Sequence, residues 1–179
     1  MLIEEPEIIN GIKIITLPVF NDLRGQSVET FSEKEYLFYD DNKQQIKFVE
    51  DDVSVSKKNV LRGLHGDNKT WKLIQCLYGE VFFVVLDMRP ASSTYLKWQE
   101  IILNDANRLQ VLIPAGCVNG HLCLSDKCLF SYKQSQYYGG ASGQLTVRWD
   151  DPAFNIPWPI KEPILSERDG SAAYFKKTI

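Results

Sequence analysis

Apolar and polar residues alternate in short runs along most of the chain, and turn signals separate the runs about every 8–12 residues. Seven segments rich in β-branched and aromatic residues read as strands or strand pairs: 47–56, 72–89, 95–103, 108–114, 120–126, 128–138 and 143–149. The second segment contains a Tyr-Gly turn, which divides it into two strands. This pattern predicts an all-β sandwich or barrel of the jelly-roll type.

Two segments depart from the strand pattern. Residues 32–40, "SEKEYLFYD", predict a short helix near the N-terminus, with Ser32 as a capping residue. Residues 150–169, "DDPAFNIPWPIKEPILSERD", are rich in proline and cannot form a central strand. We expect this segment to cross the surface irregularly, and long irregular segments of compact domains are often functional.

Composition limits the class of protein. The chain has 179 residues, 44% of them hydrophobic and 24% charged, which predicts one globular domain over residues 1–179. A net charge of −3 gives no reason to expect nucleic acid or an anionic membrane as a partner. No apolar run is long enough to suggest a membrane span, and the acidic N-terminus lacks the basic region of a secretory signal. We therefore expect a cytoplasmic protein.

The cysteines and histidines test for metal or redox chemistry. The four cysteines form no Cys-x-x-Cys pair, and we interpret them as reduced thiols. Double-stranded β-helix proteins (cupins) commonly bind a metal through a His-x-His pair with a Glu and a later Pro-x-Gly-x-x-His. Here the first motif has one histidine, His65, and the ligand position after Pro114 and Gly116 holds Asn119. Two histidines and a carboxylate could still be counted as ligands, but we expect no metal and no cofactor.

Several separated motifs occur in an order that resembles one known family. They are "NVLRGLHGD", "KLIQCLYGEVFFVVLDMRPASSTYLKW", "RLQVLIPAGCVNGH", "SYKQSQYY" and "WDDPAFNIPWP…PILSERD". Together they resemble the dTDP-4-dehydrorhamnose 3,5-epimerase family over nearly the whole chain. The resemblance implies a jelly-roll (cupin) homodimer that binds a nucleotide-linked 4-keto-6-deoxy sugar in the barrel mouth. It further implies inversion of the carbons that flank the ketone, in the biosynthesis of surface polysaccharide such as O-antigen or capsule.

The resemblance also implies four catalytic residues. His65 matches the general base, Asp169 its carboxylate partner, Lys72 the group that stabilises the enolate, and Tyr132 the acid on the opposite face. The chemistry independently supports such a set, because a proton beside a ketone is very weakly acidic. Its removal needs a nearby base and a cation or donor at the oxygen where negative charge develops.

Charged and polar residues near these motifs are candidates for substrate binding. Arg62 is the first candidate for the diphosphate, because the planar guanidinium binds oxyanions through two hydrogen bonds. The remaining candidates are Arg24, Glu29, Glu50, Asp52, Asn119, His121, Tyr138 and Arg168.

The chain also departs from the family pattern. Asn119 stands where the family has a histidine, and His121 stands two residues on, on the same strand face. Glu50, Asp51 and Asp52 replace a Gln-Asp-Asn run. These differences suggest closer likeness to a branch that acts on 4-keto heptoses and other deoxysugars.

The departures leave several questions open. They concern the nucleotide (dTDP, GDP or CDP), the sugar, and inversion at C3 alone or at both C3 and C5. A 3,4-ketoisomerase on the same fold and a non-catalytic sugar-nucleotide binding module remain alternatives.

Overall fold

The computed structural model describes residues 1–176, so the end of the domain predicted over 1–179 lies outside it. The regular secondary structure of this part of the chain is almost entirely β. Its strands are β1 (Leu2–Glu4), β2 (Lys13–Thr16), β3 (Val19–Asp22), β4 (Gly25–Val28), β5 (Glu50–Lys57), β6 (Leu61–Gly66), β7 (Lys72–Tyr78), β8 (Glu80–Asp87), β9 (Trp98–Asn104), β10 (Leu109–Ile113), β11 (Cys117–Cys123), β12 (Lys127–Gln134) and β13 (Leu145–Thr146). A 3-10 turn spans Ala141–Gly143, and a short helix, α1, spans Glu167–Gly170.

The strands form two main antiparallel sheets and one hairpin. The first sheet has six strands in the order β1-β2-β10-β7-β12-β5, and the second has five in the order β13-β6-β11-β8-β9. Strands β3 and β4 form a separate hairpin. Strands that are distant in sequence are neighbours in both sheets, as in a jelly roll. The predicted all-β double-stranded β-helix is confirmed.

Apolar residues form three clusters. One lies between the sheets and includes Ile74, Phe83 and Phe130. In a second cluster, residues of the five-stranded sheet pack against the C-terminal segment through side chains such as Trp158. In the third, residues of β2, β7 and β10 pack against residues 31–48, including buried Tyr36. The outer face of each sheet is therefore covered by other parts of the chain, and the inner faces of the two sheets enclose the barrel interior.

The helix predicted over residues 32–40 is wrong. The segment makes one turn, in which the Tyr36 amide donates to the Ser32 carbonyl oxygen at 3.0 Å, and then becomes extended. Tyr36 and Phe38 are both buried, and side chains two residues apart share a face in extended chain but not in a helix. Packing against the six-stranded sheet therefore overrides the local helical preference.

The C-terminal prediction is confirmed. Residues 150–165 contain no strand, but they are attached to β6 by hydrogen bonds. The Leu61 amide donates to the Ile164 carbonyl at 3.0 Å, and the Ile164 amide donates to the Asn59 carbonyl at 2.8 Å. This attachment positions α1 at the edge of the barrel interior. The described part of the chain contains no helix with the length and apolar character needed to cross a membrane.

Candidate active site

A cavity of about 840 Å³ opens between the two sheets. This volume is within the range of small-molecule sites. It collects eleven of the thirteen predicted site residues, and Arg24 and Glu29 are the two that it does not include. Its lining is Glu50, Asp52, Ser54, Val60, Leu61, Arg62, His65, Lys72, Asn119, His121, Phe130, Tyr132, Gln134, Tyr138, Gln144, Ile164, Leu165, Ser166, Arg168 and Asp169.

A bulge in β6 explains how both Arg62 and His65 reach this cavity. Residues three apart on a regular strand point to opposite faces. Here His65 pairs with Asn119 and Arg62 pairs with His121, so β6 has one more residue than β11 between the two pairs. The extra residue returns both side chains to the same side.

Gly63 makes the bulge sterically possible. Its φ is +124°, and a Cβ atom added there would lie 2.5 Å from the Cα of Gly120 on the neighbouring strand. Only glycine tolerates this combination of backbone conformation and close approach. The two glycines therefore fix the geometry of the site from within the sheet.

His65 and Asp169 form a direct pair. The Nε2 atom of His65 lies 2.6 Å from Oδ1 of Asp169, and the other carboxylate oxygen accepts the Gly63 amide at 3.3 Å. Asp169 is 2% exposed, whereas 23% of the His65 side chain is accessible. The carboxylate therefore holds one ring nitrogen, and the other is left to act as a base.

The charge of Asp169 is stabilised by its neighbours. Burial opposes ionisation, but hydrogen bonds from His65, from the Gly63 amide and with Ser166 outweigh it and lower the pKa of Asp169. Ser166 also caps α1, accepting the Asp169 amide at 3.2 Å. An ionised carboxylate fixes the His65 tautomer with the proton on Nε2 and stabilises the imidazolium.

Lys72 is buried at the start of β7 and reaches across the cavity. Its Nζ atom donates to Oδ1 of Asn119 at 3.4 Å, and the residue is 8% exposed. Burial lowers the pKa of Lys72, an effect partly opposed by the charge of Asp67 and reinforced by that of Arg168. A buried ammonium with a single weak side-chain partner is suited to meet a developing negative charge.

Tyr132 approaches from the other sheet. It lies on β12, next to Asp52 on β5, whereas His65 lies on β6 in the five-stranded sheet. Burial, with the charge of Asp52 as the next contribution, raises the pKa of the Tyr132 hydroxyl. A neutral hydroxyl therefore faces the imidazole across the cavity.

Two arginines supply positive charge at the rim. Arg62 is exposed, and its Nε donates to Ser56 Oγ at 3.0 Å. Arg168 is half-buried and donates to Thr146 Oγ1 at 2.6 Å and to Gln144 Oε1 at 3.2 Å. Neither is neutralised by a carboxylate among the ion pairs of the described residues. Both guanidinium groups can therefore bind an anion.

An acidic group lies on β5, in the other sheet from Arg62. Glu50 accepts from Gln134 Nε2 at 2.8 Å and from the Tyr138 amide at 3.1 Å, and Asp52 accepts from Gln134 at 3.2 Å. Burial, followed by the nearby charge of Glu50, raises the pKa of Asp52. β12 ends at Gln134, so Tyr138 lies in the loop beyond it. These carboxylates suit hydroxyl or N–H donors better than phosphate.

His121 is more enclosed than the sequence suggested. It is 4% exposed, its ring stacks on Phe130 with centroids 4.0 Å apart, and its Nε2 atom has no hydrogen-bond partner. Burial, then the charges of Arg62 and His65, lowers the pKa of His121 to about 3. The ring is therefore neutral near pH 7.

Arg24 and Glu29 do not line the cavity of their own chain, and their role in substrate binding stays a prediction. Arg24 lies at the tip of the β3–β4 hairpin, its side chain is 90% exposed, and it is paired with Asp22 at 2.6 Å. Glu29 is an exposed residue just beyond β4. The hairpin is separate from the two main sheets, and neither side chain lines the cavity of its own chain.

Sequence reasoning missed Ser54, Gln134 and Gln144. Gln134 follows Tyr132 by two residues and Ser54 follows Asp52 by two, so the period of a strand was a usable signal. No such signal existed for Gln144, because it lies outside the strands and is held at the cavity by a hydrogen bond from Arg168. Among residues 1–176, no group of three or more His, Cys, Asp or Glu side chains is arranged to hold a metal ion.

A barrel of two antiparallel sheets with a polar cavity between them defines the chain as a cupin-class protein. A family profile described as dTDP-4-dehydrorhamnose 3,5-epimerase matches residues 6–177. The chain belongs to this family, and it is accordingly an epimerase of nucleotide-linked 4-keto sugars.

Individual relatives agree with this assignment. The chain is 38% identical over 176 residues to a dTDP-4-dehydrorhamnose 3,5-epimerase of Salmonella typhimurium, covering 96% of this chain and 94% of the relative. It resembles the crystal structure of a dTDP-6-deoxy-D-glucose-3,5-epimerase from Legionella pneumophila in complex with dTDP-4-keto-L-rhamnose. That match has a TM-score of 0.87 and 35% identity, and covers 97% and 92% of the two chains.

A third likeness is to a 3'-monoepimerase from Streptomyces bikiniensis in complex with dTDP-quinovose. Its TM-score is 0.84 and its identity 27%, with 96% and 87% of the two chains covered. None of these three relatives is described as a heptose enzyme, and the expected closeness to that branch stays a prediction.

Proposed function

We propose that the chain inverts both C3 and C5 of a dTDP-linked 4-keto-6-deoxy sugar by acid–base chemistry carried by its own side chains. The observation that carries this proposal is the 2.6 Å pair of His65 and Asp169 on one side of the cavity, with Tyr132 on the opposite sheet. Inversion requires removal of a proton from one face and its return from the other. The chemistry of the two groups and their positions on different sheets support this proposal.

In the proposed mechanism His65 removes the proton. Asp169 accepts a hydrogen bond from Nε2–H, which leaves the Nδ1 lone pair for the carbon-bound proton. As the imidazolium forms, the carboxylate stabilises it. C3 and C5 both flank the ketone, so protons on both carbons are acidified by the same oxygen.

Lys72 then stabilises the enolate oxygen. The ammonium is buried, and electrostatic interactions are stronger where water is excluded. Asn119 orients the lysine from β11. Tyr132 returns a proton to the carbon from the opposite side, and its hydroxyl is protonated near pH 7 because burial raises its pKa.

The nucleotide diphosphate is assigned to the arginine side of the mouth. Arg62 and Arg168 offer forked donors that fit phosphate oxygens. The Legionella and Streptomyces structures contain dTDP sugars, which supports dTDP as the nucleotide. We assign Glu50 and Asp52 to the hydroxyl groups of the sugar or to the N–H groups of the nucleobase.

The proposal includes a homodimer in the cytoplasm. The β3–β4 hairpin is separate from the two main sheets and exposes Phe20 and Leu23. An exposed apolar group of this kind suits a protein contact. The four cysteines are free thiols, as expected in a reducing compartment.

Solvent exchange tests this function. The chain is incubated with dTDP-4-keto-6-deoxy-D-glucose in heavy water, and deuterium at each carbon is followed by NMR. We expect deuterium at both C3 and C5 and formation of the inverted sugar. Exchange at C3 alone would instead match the monoepimerase, migration of the ketone to C3 would indicate a ketoisomerase, and no exchange with dTDP, GDP or CDP sugars would indicate a binding module.

A further inference from the structure

Two residues of the cavity lining each have a buried polar atom without a hydrogen-bond partner. These atoms are Ser54 Oγ and His121 Nε2. Buried hydroxyl and imidazole groups are normally satisfied, because leaving them unpaired costs stability. The proposed mechanism uses neither of them.

The two residues lie beside the same aromatic ring. Ser54 on β5 is directly opposite Phe130 on β12, and directly opposed residues of antiparallel strands share a face. His121, from the other sheet, stacks on the Phe130 ring at 4.0 Å with an interplanar angle of 18°. The unpaired atoms therefore come from opposite sheets at one level of the barrel.

This level is one step along the barrel from the proposed chemistry. Ser54, Phe130 and His121 each lie two residues from Asp52, Tyr132 and Asn119 respectively. Arg62 belongs to the same level, because it pairs with His121, whereas His65 pairs with Asn119. The level thus lies one step from the base, on the side of Arg62, the cation assigned to the diphosphate.

The chemistry of the substrate identifies what reaches this level. In a 4-keto hexose the diphosphate is attached at C1, and the ketone lies across the ring at C4. With C3 and C5 at the reacting groups, the ring positions left toward the diphosphate are C2 and the ring oxygen. Of these, only a C2 hydroxyl is both donor and acceptor.

We propose that Ser54 and His121 form a subsite that binds the C2 hydroxyl of the sugar and selects 2-hydroxy over 2-deoxy substrates. This inference rests on the proposed function, because that function sets the orientation of the sugar. The serine hydroxyl and a neutral imidazole can each donate or accept one hydrogen bond to the same hydroxyl. Both residues line the cavity, although the two atoms are covered in the free chain.

The test compares two substrates, dTDP-4-keto-6-deoxy-D-glucose and its 2-deoxy analogue, by kcat/KM for exchange at C3. For wild type we expect a preference of at least about 100-fold for the 2-hydroxy sugar, since sites built to bind a hydroxyl reject the analogue without it. His121→Phe keeps the stacking on Phe130 and removes both nitrogens. We expect it to lower kcat/KM for the 2-hydroxy sugar by about 10-fold or more and to leave the 2-deoxy sugar within about 3-fold.

Ser54→Ala is the second variant, and it keeps the test available if His121→Phe does not fold. Ser131→Ala is the matched control, because Ser131 is also a buried serine on a barrel strand but does not line the cavity. We expect the control to retain the wild-type preference. An unchanged preference in folded Ser54→Ala and His121→Phe would overturn the subsite. Absence of exchange in wild type with either sugar would instead overturn the proposed function.

A binding measurement separates contact from a structural role. The chain has two histidines, so His65→Asn leaves His121 as the only imidazole. In this variant we expect the ¹⁵N signals of His121 to shift on addition of dTDP-glucose and to stay in place with dTDP-2-deoxyglucose. Equal shifts with both ligands would contradict a contact with the C2 hydroxyl.

Discussion

At the scale of single residues, Tyr132 separates proton removal from inversion. Tyr132→Phe keeps the ring and removes only the hydroxyl, while His65, Asp169 and Lys72 are unchanged. The enolate still forms, but the carbon is reprotonated from the face that the proton left. We therefore expect appreciable exchange of the substrate proton for deuterium with net inversion reduced by about 10²–10⁴-fold, measured by NMR in heavy water.

Tyr138 is the appropriate control, since it also lines the cavity but is 53% exposed in the loop after β12. Tyr138→Phe should invert the sugar at nearly the wild-type rate. If Tyr132→Phe inverts normally and Tyr138→Phe does not, the acid is Tyr138.

Asp87 gives a prediction about acid stability. It is fully buried and accepts hydrogen bonds from Arg89 Nε at 2.8 Å, Ser92 Oγ at 2.6 Å and Thr94 Oγ1 at 2.7 Å. Burial alone would raise the pKa of Asp87, but these bonds outweigh it and lower the pKa to about 2. A lowered pKa in the folded state contributes stability above pH ~4, which is lost as the pH falls toward about 2.

We therefore expect Asp87→Asn to lower the free energy of unfolding by about 2 kcal/mol at pH 7. The difference between wild type and variant should shrink as the pH falls from about 4 to about 2. Urea denaturation at pH 7, 4 and 3 measures it. A difference that is the same at all three values would show that the charge of Asp87 is not the cause.

At the scale of elements, the bulge in β6 depends on Gly63. Gly63→Ala places a Cβ against the Gly120 backbone and imposes a positive φ on alanine. We expect a loss of more than about 1 kcal/mol in unfolding free energy, together with loss of epimerase activity. Gly139→Ala is the control, since its Cβ would meet nothing within 4 Å. Equal stability of the two variants would mean that β6 can adjust without the glycine.

The same bulge marks the limit of what the sequence could predict. Strand periodicity placed His121 on the cavity side, two residues from Asn119, because it depends only on local alternation, whereas Tyr132 was identified through the family motif. The shared face of Arg62 and His65 depends on an extra residue that is defined only against β11. The helix prediction for residues 32–40 was wrong for a related reason. The conformation of this segment is decided by burial of Tyr36 and Phe38 against strands that are distant in sequence. Asp169 was identified through the family motif, and its contact with His65 depends on long-range folding of the C-terminal segment.

At the scale of the whole molecule, the position of Arg24 gives a prediction about assembly. Arg24 lies in the β3–β4 hairpin and does not line the cavity of its own chain, so a role in substrate binding requires the cavity of a partner chain. We expect light scattering after size-exclusion chromatography to give twice the 20.5 kDa mass of the chain. Arg24→Ala should lower kcat/KM by about 10-fold or more without changing that mass.

Lys161→Ala is the control for loss of an exposed charge, and we expect it to have wild-type kinetics. A fully active monomer, or an Arg24→Ala variant with wild-type kcat/KM, would show that Arg24 of a partner chain does not contribute to the site.

In the proposed mechanism His65, held by Asp169, removes the proton at both carbons. The most direct measurement is deuterium incorporation into dTDP-4-keto-6-deoxy-D-glucose by His65→Asn, with the fold checked by circular dichroism. The other imidazole, His121, is buried and stacked on Phe130, one step along the barrel from His65, so it cannot replace the base. We predict no enzyme-dependent deuterium at C3 or C5 in the folded variant. Wild-type incorporation at either carbon would contradict the claim.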